Sequence, residues 1–123
     1  MSAGFLRAGA VAMAILVAAC ASPAPVVTPA VPGGVPLIAS GTSFVQKSLE
    51  VHADQAFSLV FENRDGELHN VSITAPDGRE QVFTGETFSG PAAKVYSVPA
   101  LPAGAYTFRC DVHPDMKGTL ASS

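Results

Sequence analysis

Four side chains in this sequence have the types and spacing of a metal site: His69, Cys110, His113 and Met116. Three of them fall in one short segment, Cys110-Asp111-Val112-His113-Pro114-Asp115-Met116, so a single loop can offer a thiolate, an imidazole and a thioether. A thiolate and two imidazoles in a trigonal plane, with a thioether as a weak axial ligand, form the donor set of a mononuclear copper site that moves electrons. Soft sulfur favours Cu(I) and imidazole suits both oxidation states, so a geometry between the two preferences limits the rearrangement when an electron moves. Protein fills all four positions, which leaves no open position for substrate, in contrast to a catalytic metal site. Taken singly, Cys110 reads as a small buried apolar residue and Met116 as a core filler. Their joint spacing with the two histidines is what points to a metal.

The elements that must position these ligands are strands. Phe57, Leu59 and Phe61 alternate with Ser58, Val60 and Glu62, and Tyr106 and Phe108 alternate with Thr107 and Arg109. Such a period of two marks strands with one buried face. Asp65-Gly66, Pro76-Asp77-Gly78, Gly90-Pro91 and Pro102-Ala103-Gly104 supply turns between them. The pattern predicts strands near 37–40, 47–52, 56–62, 68–74, 80–84, 94–98, 104–110 and 118–121. The expected fold is all-β, a small antiparallel Greek-key sandwich of about seven to eight short strands. His69 then shares a face with Val71 and Ile73, and Cys110 shares one with Tyr106 and Phe108, so both ligands point inward at strand ends.

With these residues in place the sequence resembles the cupredoxin family of small blue-copper proteins. The segment from Tyr106 through Cys110, His113 and Met116 to Gly118 is similar to the family's C-terminal copper loop, with the spacing of amicyanin-like members, and Asn63-Arg64-Asp65 and His69-Asn70-Val71 are similar to its first ligand segment. The resemblance covers essentially residues 37–123. It implies one copper per chain held by His69, Cys110, His113 and Met116, with Asn70 hydrogen-bonded across to the ligand loop. It also implies one-electron transfer through the exposed ring edge of His113 to a transient redox partner, with Asp111 and Asp115 shaping the docking surface. The alternative is a copper protein for delivery, storage or sensing. An enzyme is not expected, because copper enzymes of this fold need further domains and more histidines than the three here. His52 has no sulfur ligand near it in sequence and is expected at the surface.

The N-terminus speaks to location. A weakly positive lead-in, an apolar run over 8–19 and the junction Val17-Ala18-Ala19-Cys20 have the form of a bacterial lipoprotein signal, with residues 1–19 removed and Cys20 lipidated. The run is too short for a membrane span, so the expected attachment is a lipid anchor on the cell envelope. Residues 20–36 hold five prolines and no charge, which suits an extended tether carrying a domain over 37–123. Cys110 is then the sole remaining thiol, too few for a disulfide framework. The chain is mildly acidic, with a net charge of −3 and its charges interspersed, so nucleic-acid binding is not expected. The domain is expected to be a monomer.

Overall fold

The computed structural model describes Gly4 and residues 27–123. The signal peptide expected over 1–19, Gly4 apart, and the lipidation site Cys20 lie outside the described residues. No helix among the described residues is long and apolar enough to cross a membrane.

Ten strands follow in order: β1 (Val35–Ala39), β2 (Ser48–Val51), β3 (Phe57–Asn63), β4 (Leu68–His69), β5 (Ser72–Thr74), β6 (Gln81–Thr84), β7 (Phe88–Ser89), β8 (Ala92–Val98), β9 (Gly104–Arg109) and β10 (Lys117–Ser122). One sheet has the order β1-β3-β8 and the other β2-β10-β9-β5-β6, with β4 and β7 forming a separate pair. The inner faces meet through Leu37, Phe44, Leu59, Phe61, Val71, Ile73, Val98, Phe108 and Leu120, all buried. Phe44 packs edge-on against Phe61 at 6.3 Å and Phe108 at 5.2 Å, which joins the two sheets at the core. Burying each such ring contributes roughly 1.5–3 kcal/mol.

Three features differ from the sequence-based expectation. The sheets are mixed: β1 pairs with β3, and β2 with β10, in parallel. The chain alternates between sheets, so β1 and β3 lie side by side with the same direction while β2 crosses to the other layer. Residue patterns report a strand's buried face but not its partner's direction. Second, the single strand expected over 68–74 is two. His69 ends β4, which pairs with β7, whereas β5 lies between β6 and β9. At the break the polar side chains of Asn70 and Ser72 are buried with His69, Val71 and Ile73, so the simple inside-outside alternation fails there. Third, β7 has only two residues, too short for periodicity to register.

The leading segment also meets the domain earlier than a free tether ending at 36 implies. β1 begins at Val35, and residues 28–34 lie on the outer face of β3. Gly34 N–H donates to the Val31 carbonyl at 2.9 Å, closing a turn with Pro32 and Gly33 at its centre. Proline presets its first central position, and Gly33, at φ 71°, takes the left-handed second one. Thr28 Oγ1 donates to Glu62 Oε2 at 2.7 Å. This cover explains why Val60 and Glu62 are buried although they alternate with the core-facing Leu59, Phe61 and Asn63.

Candidate metal centre

The ligand candidates converge at the end of the sandwich where β4, β9 and β10 meet. Cys110 follows β9 directly, and the chain returns into β10, whose Lys117 pairs with Arg109. The antiparallel ladder therefore fixes both ends of the loop. Cys110 N–H donates to the Met116 carbonyl and Met116 N–H to the His113 carbonyl, each at 2.9 Å, so the loop's backbone is closed on itself.

Cys110 Sγ lies 3.8 Å from His69 Nδ1 and 3.8 Å from His113 Nδ1. All three donor atoms fall within 4.8 Å of one another. Metal-to-donor lengths of about 2.3 Å for thiolate and about 2.0 Å for imidazole, opened to a trigonal angle, place the donors about 3.7 Å apart. The spacing fits one ion between them. Met116 is buried on the same loop and lines a surface depression with Thr42, Val112, His113, Pro114 and Asp115. The imidazoles differ in access: the His69 side chain is wholly buried, while that of His113 is 29% exposed. His52 is exposed at the surface.

Both rings present Nδ1 to the centre, which leaves Nε2 for other partners. His69 Nε2 lies 2.9 Å from Asp65 Oδ2. The same carboxylate accepts from the backbone N–H groups of Gly41 at 2.9 Å and Thr42 at 3.3 Å. The Gly41 bond leads in holding the Asp65 carboxyl below its ordinary range, and outweighs the opposing effect of burial. Asn63 supports this loop: its amide donates to the Glu67 and Phe88 carbonyls, and its Oδ1 accepts from Asp65 N–H. On the outer ring, Glu67 Oε2 lies 3.4 Å from His113 Nε2.

Asn70 is bonded twice to the residue after the thiolate. Its Nδ2 donates to Asp111 Oδ2 at 2.8 Å and its Oδ1 accepts from Asp111 N–H at 2.8 Å. Ser72 Oγ donates to the other carboxylate oxygen at 2.8 Å. Burial pushes the Asp111 carboxyl up, but the bonds from Asn70 and Ser72 outweigh it and hold it below the usual range. The Asp111 carboxylate thus braces the ligand loop while its side chain stays 33% exposed and 3.5 Å from Arg109 Nε, and Asp115 stands exposed on the same segment. Among the described residues no buried side-chain polar atom lacks a partner.

Sequence reasoning missed Asp65 and Ser72. Asp65 reads in the sequence as a turn residue before glycine and as part of the segment that resembles the family's first ligand segment, without a role of its own, although its position four residues ahead of a candidate ligand is a signal. Ser72 carried none.

Comparison with known proteins agrees with this geometry. The family model of the cupredoxin-like domain matches residues 9–121, and the chain belongs to that family. Reduced auracyanin from the photosynthetic bacterium Roseiflexus castenholzii is 14% identical with a TM-score of 0.66, over 76% of this chain and 99% of that one. Auracyanin B is 20% identical with a TM-score of 0.65, over 81% of this chain and 95% of that one. A reduced mutant of amicyanin is 21% identical with a TM-score of 0.60, over 76% of this chain and 86% of that one. No curated protein sequence matches.

Proposed function

We propose that this chain is a lipid-anchored copper protein of the bacterial cell envelope that carries single electrons. One observation carries the reading: two imidazole nitrogens, from residues forty-four apart in the chain, each stand 3.8 Å from one buried cysteine sulfur. His69, Cys110, His113 and Met116 would hold copper, the sulfur donors suiting Cu(I) and the imidazoles both oxidation states. Bound there, copper supplies a one-electron couple whose two oxidation states share these ligands. The structural relatives support the same chemistry, since auracyanin A of Chloroflexus aurantiacus, which shares this fold, is a "blue" copper protein.

The chain's own residues divide the work. Asp65 and Asn70 fix the ligands from two sides, so the donor positions persist through a change of charge at the centre. The buried His69 keeps water from one side. The partly exposed ring of His113 gives the only ligand edge that a partner can approach among those named, and a small, transient contact suffices there.

The optical and EPR spectra of the copper-loaded protein test this. A thiolate-to-copper charge-transfer band giving an intense blue colour, lost in Cys110→Ser, is the expected result. A colourless Cu(II) complex of the unaltered protein would overturn it. Copper retained through many redox cycles distinguishes an electron carrier from a protein for copper delivery, which would release the metal readily to a chelator.

A further inference from the structure

The path of the leading segment decides which end of the sandwich lies near the anchor. β1 and β3 run side by side toward the metal centre: Ala39 and Asn63 are their last paired residues, and the turns beyond them bring Gly41, Thr42 and Asp65 together behind His69. A chain entering β1 directly would reach the domain at the opposite end, beside Gln55 and Phe57. Here it reverses at Pro32-Gly33, and the preceding residues run back along the outer face of β3 past Val60. They reach Thr28, which is bonded to Glu62, one residue before the end of β3. The segment therefore arrives from the metal-bearing end.

We infer that the domain is held with its metal end toward the membrane that anchors it, and that its electron partner is an apolar-faced redox protein embedded in that membrane. The inference rests on the lipidation of Cys20 proposed above. Seven peptide steps separate Cys20 from Val27, and fully extended they reach at most about 25 Å. A tether free as far as Pro36 would allow at most about 58 Å and either orientation. The rim of the metal end suits the partner. Val45, Leu68 and Val112 are exposed apolar side chains; Leu68 adjoins His69, Val112 adjoins His113, and Val45 follows the turn that holds Asp65. Glu67 and Asp115 stand exposed on the same end. With Arg64 and Lys117 exposed there too, the charges are mixed and lack the basic excess that an anionic lipid surface holds, so the rim fits a protein face rather than headgroups.

The chain contains no tryptophan, so single reporters can be placed at each end. Full-length, lipid-anchored protein carrying Cu(I) is reconstituted in protein-free vesicles with a headgroup quencher. The expected result is that emission from Leu68→Trp is quenched several-fold more than that from Gln55→Trp, and that adding Thr28→Val lessens the difference. Equal or reversed quenching, or a difference indifferent to Thr28→Val, overturns the orientation. A strong blue shift of Leu68→Trp in these vesicles would assign the rim to lipid and overturn the partner. Val45→Asp should slow reduction by the native membrane fraction at least tenfold and leave reduction by ascorbate unchanged; no slowing, or equal slowing of both, also overturns the partner. The anchor is scored separately: if Cys20→Ser partitions with membranes like the unaltered chain, the lipidation reading itself fails. A chain that is anchored but quenched from the other end sinks only the orientation.

Discussion

Asp65 Oδ2 stands 2.9 Å from Nε2 of the buried His69, while two backbone N–H groups hold the carboxylate from the far side. A carboxylate behind a metal-binding imidazole fixes its tautomer and raises its basicity. It also places a negative charge near the centre, which favours the more positive oxidation state. Asp65→Asn keeps the shape and removes the charge, so the reduction potential of the copper-loaded protein should rise by about 59 mV or more, a tenfold change for one electron. Protein-film voltammetry would read it. A potential that is unchanged or lower would leave Asp65 with a packing role alone.

The bracing of Asp111 predicts a different deficit. Asn70→Ala removes bonds to the loop backbone and to an ionised carboxylate, contacts worth about 1.5–3 kcal/mol where a charge is involved. Ser72→Ala removes one. Chemical denaturation of the metal-free proteins should rank them with the unaltered chain most stable, then Ser72→Ala, then Asn70→Ala.

Gly90 offers a test that is independent of metal. Its N–H donates to the Asp65 carbonyl at 2.7 Å, and a Cβ at Gly90 would stand 2.0 Å from the Asn63 carbonyl oxygen. No side chain can yield there, because the obstacle is backbone. Gly90→Ala should lower stability by more than about 3 kcal/mol, in the range where named steric causes operate. A thermal midpoint within a few degrees of the unaltered protein would contradict the close approach.

Acid should loosen the fold through identifiable groups. The Glu62 carboxyl is held below its ordinary value by the hydrogen bond from Arg64, and Thr28 adds to this against the opposing effect of burial. Asp65 and Asp111 are lowered as well. A carboxyl lowered on folding contributes stability that is fully present above its unfolded value, about 4, and is lost as pH falls through its folded value. Stability should therefore be level near neutrality and fall below about pH 4. Glu62→Gln should make that fall shallower, as followed by denaturant melts across the acid range.

How much of the fold and site is legible in the sequence depends on the kind of information each residue carries. The alternation at Phe57, Leu59 and Phe61 and at Tyr106 and Phe108 marks buried faces, and these residues line the core as that pattern requires. The loop from Cys110 to Met116 is compact in sequence, so its chemistry is readable without a fold. The parallel pairing of β1 with β3 is not, because direction depends on which layer the intervening strand joins. Nor is the break at Asn70, where burial of polar groups overrides the two-residue period and is tolerated because Asp111 and the Gly85 carbonyl answer them. Asp65 is hidden by its turn context: the same residue type starts ordinary turns throughout proteins. Residues 28–34 are hidden by their composition, which lacks the side chains of a core yet still covers an outer face through one hydroxyl and one turn.

The placement of β10 between β2 and β9 bears on the order of events during synthesis. The strand that follows the ligand loop is the one that joins two earlier strands into a continuous sheet. Until it has emerged and inserted, β9 lacks one neighbour, and the loop carrying three of the four proposed donors has only one of its ends fixed. The first imidazole, on His69, therefore emerges from the ribosome forty-one residues ahead of the thiol of Cys110. Metal capture therefore belongs after closure of the sheet, so the surroundings of the finished chain, rather than those of the growing one, determine which ion the protein first meets.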